Sequence, residues 1–255
     1  MIDAVAFCPA APFLIPGIAA LPVDGVAVRQ ASVEVTRALR AVDRVVVLTE
    51  SGHPDVRTFG PGTPVGTAGL HRSDLPPPEP VRLPGAPGSA IGGRIREVNP
   101  GAGPDVGTAV GAHLLRAAGV LATAWAVEIP ATTAPSSGAT ILDVAGLRGL
   151  IDGSDRIGIL AMSGGATSHA PAAPLGLHPA AAAIDEALTA AIATGSPASL
   201  AGWLDDHRAL ADATGVRGRS VLAVVSDLVP GVMQARVLLQ AAPFGVGYVV
   251  AQWVA

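Results

Sequence analysis

The sequence predicts an α/β fold, a single domain spanning residues 1–255 on a central mixed, mostly parallel sheet flanked by helices. Three observations carry that expectation. Short apolar runs rich in β-branched residues alternate with longer stretches of helical period. The run IGILAM at 157–162 drives into a glycine pair, Gly164-Gly165, and delivers Thr167, Ser168 and His169 at its exit, as strands do where an open sheet builds a ligand site. No internal repeat and no clear linker divides the chain.

Taken in order, residues 4–8 read as a strand, 28–41 as a helix and 45–49 as a fully buried strand. Between 54 and 104 prolines and glycines are frequent and periodicity is weak, which is long for a structureless connection; this segment is expected to be a lid or to hide a hairpin, with 65–71 and 80–83 its best strands. Helix is then expected over 105–118, strand over 122–127, a short helix over 144–151 and the apolar strand over 157–162. Helices at 180–193 and 200–214 follow. Residues 219–225 fit either type, and 236–239 and 246–253 read as late strands.

Composition narrows the functional classes. Net charge is −4, no basic block occurs and only eight aromatics are present (3 Trp, 1 Tyr, 4 Phe), which argues against an extended nucleic-acid surface. A lone cysteine, Cys8, excludes an internal disulfide framework and a multi-cysteine zinc site and fits a reducing compartment, the cytoplasm. The start lacks a basic leader, its apolar stretch is broken by Pro9, Pro12, Pro16 and Pro22, and nothing else reaches membrane-span length. The expected partner is a small molecule; few charges on an apolar composition favour a homodimer.

Just past the expected strands stand Cys8 to Pro12, then Glu50-Ser51-Gly52-His53, then Glu128, then Ser163 to His169. In an open parallel sheet these four segments gather along one edge. Glu50, His53, Glu128 and His169 are then the side chains able to hold a metal or move protons. Plainer roles compete with each: His169 as a loop residue capping carbonyls, Glu50 as the cap of a turn, His53 on a loop before Pro54, Glu128 as a surface carboxylate before Pro130. His71, His113, His178 and His207 have local explanations. Cys8, at a strand end, is a thiolate candidate or buried packing. Neither Gly92-Gly93 nor Gly164-Gly165 forms a phosphate-binding loop, and no GxSxG elbow occurs.

With these residues in view, the chain resembles the class III extradiol ring-cleavage dioxygenases, the superfamily of the catalytic B subunit of protocatechuate 4,5-dioxygenase. The opening Cys8-Pro9-Ala10-Ala11-Pro12-Phe13-Leu14-Ile15-Pro16 is similar to the family's CPHPPLLVP. Ser163-Gly164-Gly165-Ala166-Thr167-Ser168-His169 is similar to its SGGLSH segment, and Ala242-Pro243-Phe244-Gly245-Val246-Gly247-Tyr248 to its APFGVGY ending. The three bracket nearly the whole chain. The resemblance implies an iron(II) held by two histidines and a carboxylate, with positions left open for an aromatic catecholate and dioxygen. By resemblance His53 is the second metal histidine and His169 the acid/base.

The sequence departs from that pattern at Ala10, which stands where the first metal histidine would be, and a methyl group cannot coordinate iron. The late carboxylate is also displaced: Gln240-Ala241 precede the tail motif, leaving Asp227 as the acidic candidate. Two functions follow. One is a dioxygenase-like protein that has lost the intact iron site, carries no cofactor and keeps the cleft, with Cys8, Ala10, Glu128, Ser163, Gly164, Gly165 and Ser168 in its walls, for a small molecule or partner. The other is an active oxidoreductase with Fe(II) in a rewired site on His53 with Glu50 or Asp227, in which Glu128 or Cys8 is a further substitute and His169 the acid/base. A metal-dependent hydrolase is a third class that no motif specifically supports.

Overall fold

The computed structural model describes residues 1–16, 23–51, 55–59, 106–130, 144–151 and 155–255. His53, His71, Gly92-Gly93, the expected strands at 65–71 and 80–83 and most of the 54–104 lid lie outside the described residues.

Five strands are β1 (Ile2–Cys8), β2 (Arg44–Ser51), β3 (Asp55–Phe59), β4 (Thr123–Pro130) and β5 (Ile157–Met162). Two more, β6 (Gln234–Ala241) and β7 (Tyr248–Val254), close the chain. They form one seven-stranded sheet in the order β3-β4-β2-β5-β1-β7-β6. The centre is parallel, β4 on β2, β2 on β5 and β5 on β1. The flanks are antiparallel, β3 on β4, β7 on β1 and β6 on β7. β7, the last strand, thus inserts between the first strand and β6.

Alternation along the strands splits the core into two layers, because successive side chains point to opposite faces. Val5 and Phe7 of β1, with Val46 and Leu48 of β2, face one layer; Ala4, Ala6 and Cys8, with Val45 and Val47, face the other. The second layer is covered by α1 (Val23–Thr36) and α2 (Val106–Ala118). Over the first lie α3 (Val144–Ile151), α4 (Ala181–Ala193), α5 (Pro197–Asp206), α6 (Arg208–Thr214) and α7 (Arg219–Leu228). The result is a mixed α/β sandwich with helices on both faces. No helix among the described residues is long and apolar enough to cross a membrane.

Several elements differ from expectation for identifiable reasons. The helix expected over 200–214 is two helices, broken at His207 (φ −111°, ψ 11°), whose ring stacks on Trp203 at 5.6 Å. The ambiguous 219–225 stretch is helical, since Val221, Leu222, Val225 and Leu228 recur at helical spacing and all are buried. α1 starts at Val23 rather than 28, and residues Arg37–Ala41 tighten into a 3₁₀ turn. β3, inside the proline- and glycine-rich stretch, has no counterpart in the sequence reading.

The last strand is held from both sides. Trp253 is fully buried, packs edge-on against Phe7 at 4.9 Å and donates its indole N–H to the Ile192 carbonyl at 2.7 Å. This fixes α4 over the junction of β1 and β7, and α4 carries the residue that organises the site.

Candidate functional site

The carboxyl ends of β1, β2 and β5 meet at one edge of the sheet, as the strand order requires. β7 is antiparallel to β1, so its beginning reaches the same edge. A cleft of about 360 Å³ opens there. Residues 9–12, Thr49 and Glu50, 162–165 and Thr167 contribute to its walls, joined by Val106 and Gly107, Arg217 and Gly218, and Val246 to Tyr248.

The segment after β5 is irregular yet hydrogen-bonded throughout. Ser163 N–H donates to the Cys8 carbonyl at 2.8 Å, and Gly164 N–H to the Arg217 carbonyl at 3.1 Å. Gly165 N–H donates to the Gly247 carbonyl at 2.8 Å, and Gly247 N–H returns a bond to the Ala166 carbonyl at 2.7 Å. His169 N–H donates to the Gly245 carbonyl at 3.0 Å. The SGGATSH segment and the tail motif therefore zip together, which satisfies backbone groups that burial would otherwise leave orphaned.

At the centre of this zipper lies Asp185 of α4, 3% exposed. Its Oδ1 accepts the Ala166 N–H at 2.7 Å, and its Oδ2 lies 2.7 Å from Nε2 of His169. Burial pushes the Asp185 carboxyl above its ordinary value, opposed by the Ala166 amide and by His169. Two motif glycines make room for it. A Cβ on Gly165 would fall 2.3 Å from Asp185 Oδ2, and one on Gly247 1.7 Å from the same atom. The carboxylate fills the volume that any side chain at either position would need.

Asp185 is absent from the sequence-derived candidates, though a signal existed. Ala181, Ile184, Asp185, Leu188 and Ile192 are the buried positions of α4, so the carboxylate sits within the apolar stripe, where an unpaired acid is too costly to keep. His169 is mostly buried against this acid and is not among the residues lining the cleft. Arg217 and Tyr248, both lining it, were likewise not singled out.

The remaining candidates divide clearly. Ala10, Ser163, Gly164 and Gly165 line the cleft. Glu50 also lines it, but its carboxylate turns to the start of α7, where Oε2 accepts the Gly218 N–H at 2.9 Å. Oε1 accepts both the N–H and the hydroxyl of Ser220 at 3.0 Å. It acts as a cap from a distant strand, filling the anion-binding end of that helix. Replacing Glu50 with alanine is therefore expected to lower stability by about 1–2 kcal/mol, and with glutamine by less, because an amide oxygen still accepts. Urea unfolding of the two variants measures the difference.

Cys8 faces α1, not the cleft. Its thiol contacts the Ser32 carbonyl and the Thr36 hydroxyl at 3.7 Å, and burial pushes it up to about 12, which makes thiolate formation unfavourable near neutrality. Ser168 is fully buried with its hydroxyl on the Thr214 carbonyl at 2.9 Å. Glu128 is buried beside α2, accepting from the Thr108 hydroxyl at 3.3 Å. Asp227 is exposed near the far end of α7, nine residues beyond the cleft-lining Gly218, which is about 13 Å along a helix axis. Among the described residues, no three His, Cys, Asp or Glu side chains gather as a metal site would need.

No protein-family model matches the sequence, and no curated protein matches it.

Proposed function

We propose that the chain is a class III extradiol dioxygenase-like protein without the intact iron(II) site, whose cleft at the strand ends binds a small molecule. The observation that carries this reading is Ala10: it lines the cleft at the position where the CPHPP opening would supply a metal histidine. What surrounds it supports the same reading. Glu50 is occupied by three donors, one from Gly218 just before α7 and two from Ser220 in its first turn, Cys8 points into the opposite layer, and Asp227 stands away from the cleft. The three motif segments nonetheless retain a structural purpose, since they shape the cleft and enclose Asp185.

On this reading His169 is the partner of Asp185 rather than an acid/base waiting on an iron-bound catecholate. The compartment we propose is the cytoplasm, on the strength of a single cysteine kept as a buried free thiol.

Ferrous iron added without oxygen, followed by desalting and elemental analysis, tests the proposal on the wild type and the His53→Ala variant together. The expected result is well below one iron per chain in both. One iron per chain in the wild type, lost in the variant, would overturn it in favour of a rewired oxidoreductase using His53 and a carboxylate.

A further inference from the structure

The cleft's polar groups differ in how far the protein already satisfies them. Thr167 donates its hydroxyl to the Gly215 carbonyl at 3.2 Å, and Glu50 is held on α7. Three other side chains of the lining are not engaged. Ser163 and Tyr248 are 5% and 7% exposed, and among the described residues neither hydroxyl has a hydrogen-bond partner. The Arg217 guanidinium, at the exposed rim, meets no acid among them.

Both hydroxyls belong to buried residues but are themselves open to the cleft, since among the described residues the enclosed side-chain atoms without partners are Arg29 Nε and Trp203 Nε1. Donors that a cleft presents and the protein leaves unused are a reason to look for a ligand. All three groups can donate, and guanidinium can only donate, so the complementary ligand presents acceptors. Burial pushes the Tyr248 phenol up to about 12, which keeps it a donor across the neutral range. Its ring is set edge-on against Phe13 at 5.5 Å, so the hydroxyl is held by packing rather than by a polar contact.

The charge and shape of the cleft narrow the class. Arg217 is one cation, and the amide-rich start of α7, which would suit a phosphate, is already closed by Glu50. A singly charged carboxylate matches one planar guanidinium fork better than a dianion would. Pro9, Pro12, Val106, Met162 and Val246 supply an apolar wall, and about 360 Å³ lies at the lower end of small-ligand pockets.

We propose that the cleft binds a small monocarboxylate with an apolar body, its carboxylate received by Arg217 and the hydroxyls of Ser163 and Tyr248. This rests on the reading of the cleft as a small-molecule site and names the chemistry of its ligand. Recognition needs no metal and no hydroxyl on the ligand. Arg217 sets the charge preference; Ser163 and Tyr248 orient the head group.

The test uses the full chain and two matched pairs of probes, benzoate with benzamide and hexanoate with hexanamide, titrated while backbone amide shifts are followed by NMR. Both acids are expected to saturate shifts at Gly164, Gly165 and Gly247, with each amide about tenfold weaker. Arg217→Gln should weaken the acids about tenfold and leave the amides unchanged, and Tyr248→Phe, which keeps the ring, should weaken the acids severalfold. Amides binding as tightly as acids, or acids indifferent to Arg217→Gln, would overturn the carboxylate inference while the cleft still stands as a small-molecule site. Failure of all four probes to shift those glycines would overturn the inference. A broad screen of neutral and cationic fragments by the same shifts then decides the cleft's role separately, since silence there sinks the small-molecule reading as well.

Discussion

Replacing Asp185 with alanine is expected to lower the unfolding free energy by about 3–5 kcal/mol, because it strands the Ala166 amide and the His169 ring in a buried site and leaves a void between two glycines. Asparagine should cost far less. Its carbonyl can accept from Ala166, and its amide can donate to a neutral His169. The comparison also has a pH signature. The Asp185 carboxyl is raised by burial from its ordinary value of 3.8, so its contribution to stability is fully present below that value and is lost as pH rises through the folded-state value. Relative to Asp185→Asn, the wild type should therefore lose ground as pH increases from about 3.5 towards neutrality. Urea unfolding of both proteins across that range measures the difference. A gap that widens in the wild type's favour would mean that the ion pair with His169, not burial, dominates the titration.

The second large effect is expected at Gly247. An alanine there would place its Cβ 1.7 Å from Asp185 Oδ2, a contact that only displacement of the carboxylate can relieve. Overpacking of this kind typically costs about 1–3 kcal/mol, and the displaced acid would also lose its bonds to Ala166 and His169, so the total should exceed that range. The decisive measurement is a double-mutant cycle. Gly247→Ala combined with Asp185→Gly should destabilise by clearly less than the sum of the two single changes, because the second removes the atoms with which the first collides. Simple additivity would show that Gly247 matters for its backbone and not for the room it leaves.

How much of this was legible in the sequence follows from what each element depends on. The strands at the centre were readable because both their faces are buried, so apolar runs such as Val45 to Leu48 are continuous and unmistakable. Ser163 to Gly165 were readable as cleft-lining residues because glycines after an apolar strand signal close approach. The break at His207 was not, since helical periodicity continues on both sides of it. Asp185 was overlooked because helix reading sorts residues by period and treats an acid as surface by default. Its place on the stripe of Ile184, Leu188 and Ile192 contained the contrary signal. Arg217 gave none: it lies between α6 and α7, and only tertiary placement brings that turn to the cleft. The same holds for the turning of Glu50 onto α7, a contact between residues 168 and 170 positions apart in sequence.

The position of β7 has a consequence for how the molecule is made. A strand lodged between β1 and β6, with Gly247 immediately before it completing the enclosure of Asp185, makes β1 wait for a pairing partner that lies far later in the sequence. A nascent chain that has emerged only through β6 has the central parallel strands but an unpaired side on β1 and an acid with half its surroundings missing. Such non-local closure is slow and leaves a sheet edge open to other chains in the meantime. Ribosome-stalled chains ending before or after β7, each followed by a linker long enough to clear the exit tunnel, should accordingly differ in protease resistance as a step, with little gained at any shorter length. The cleft is therefore complete only once β7 has paired.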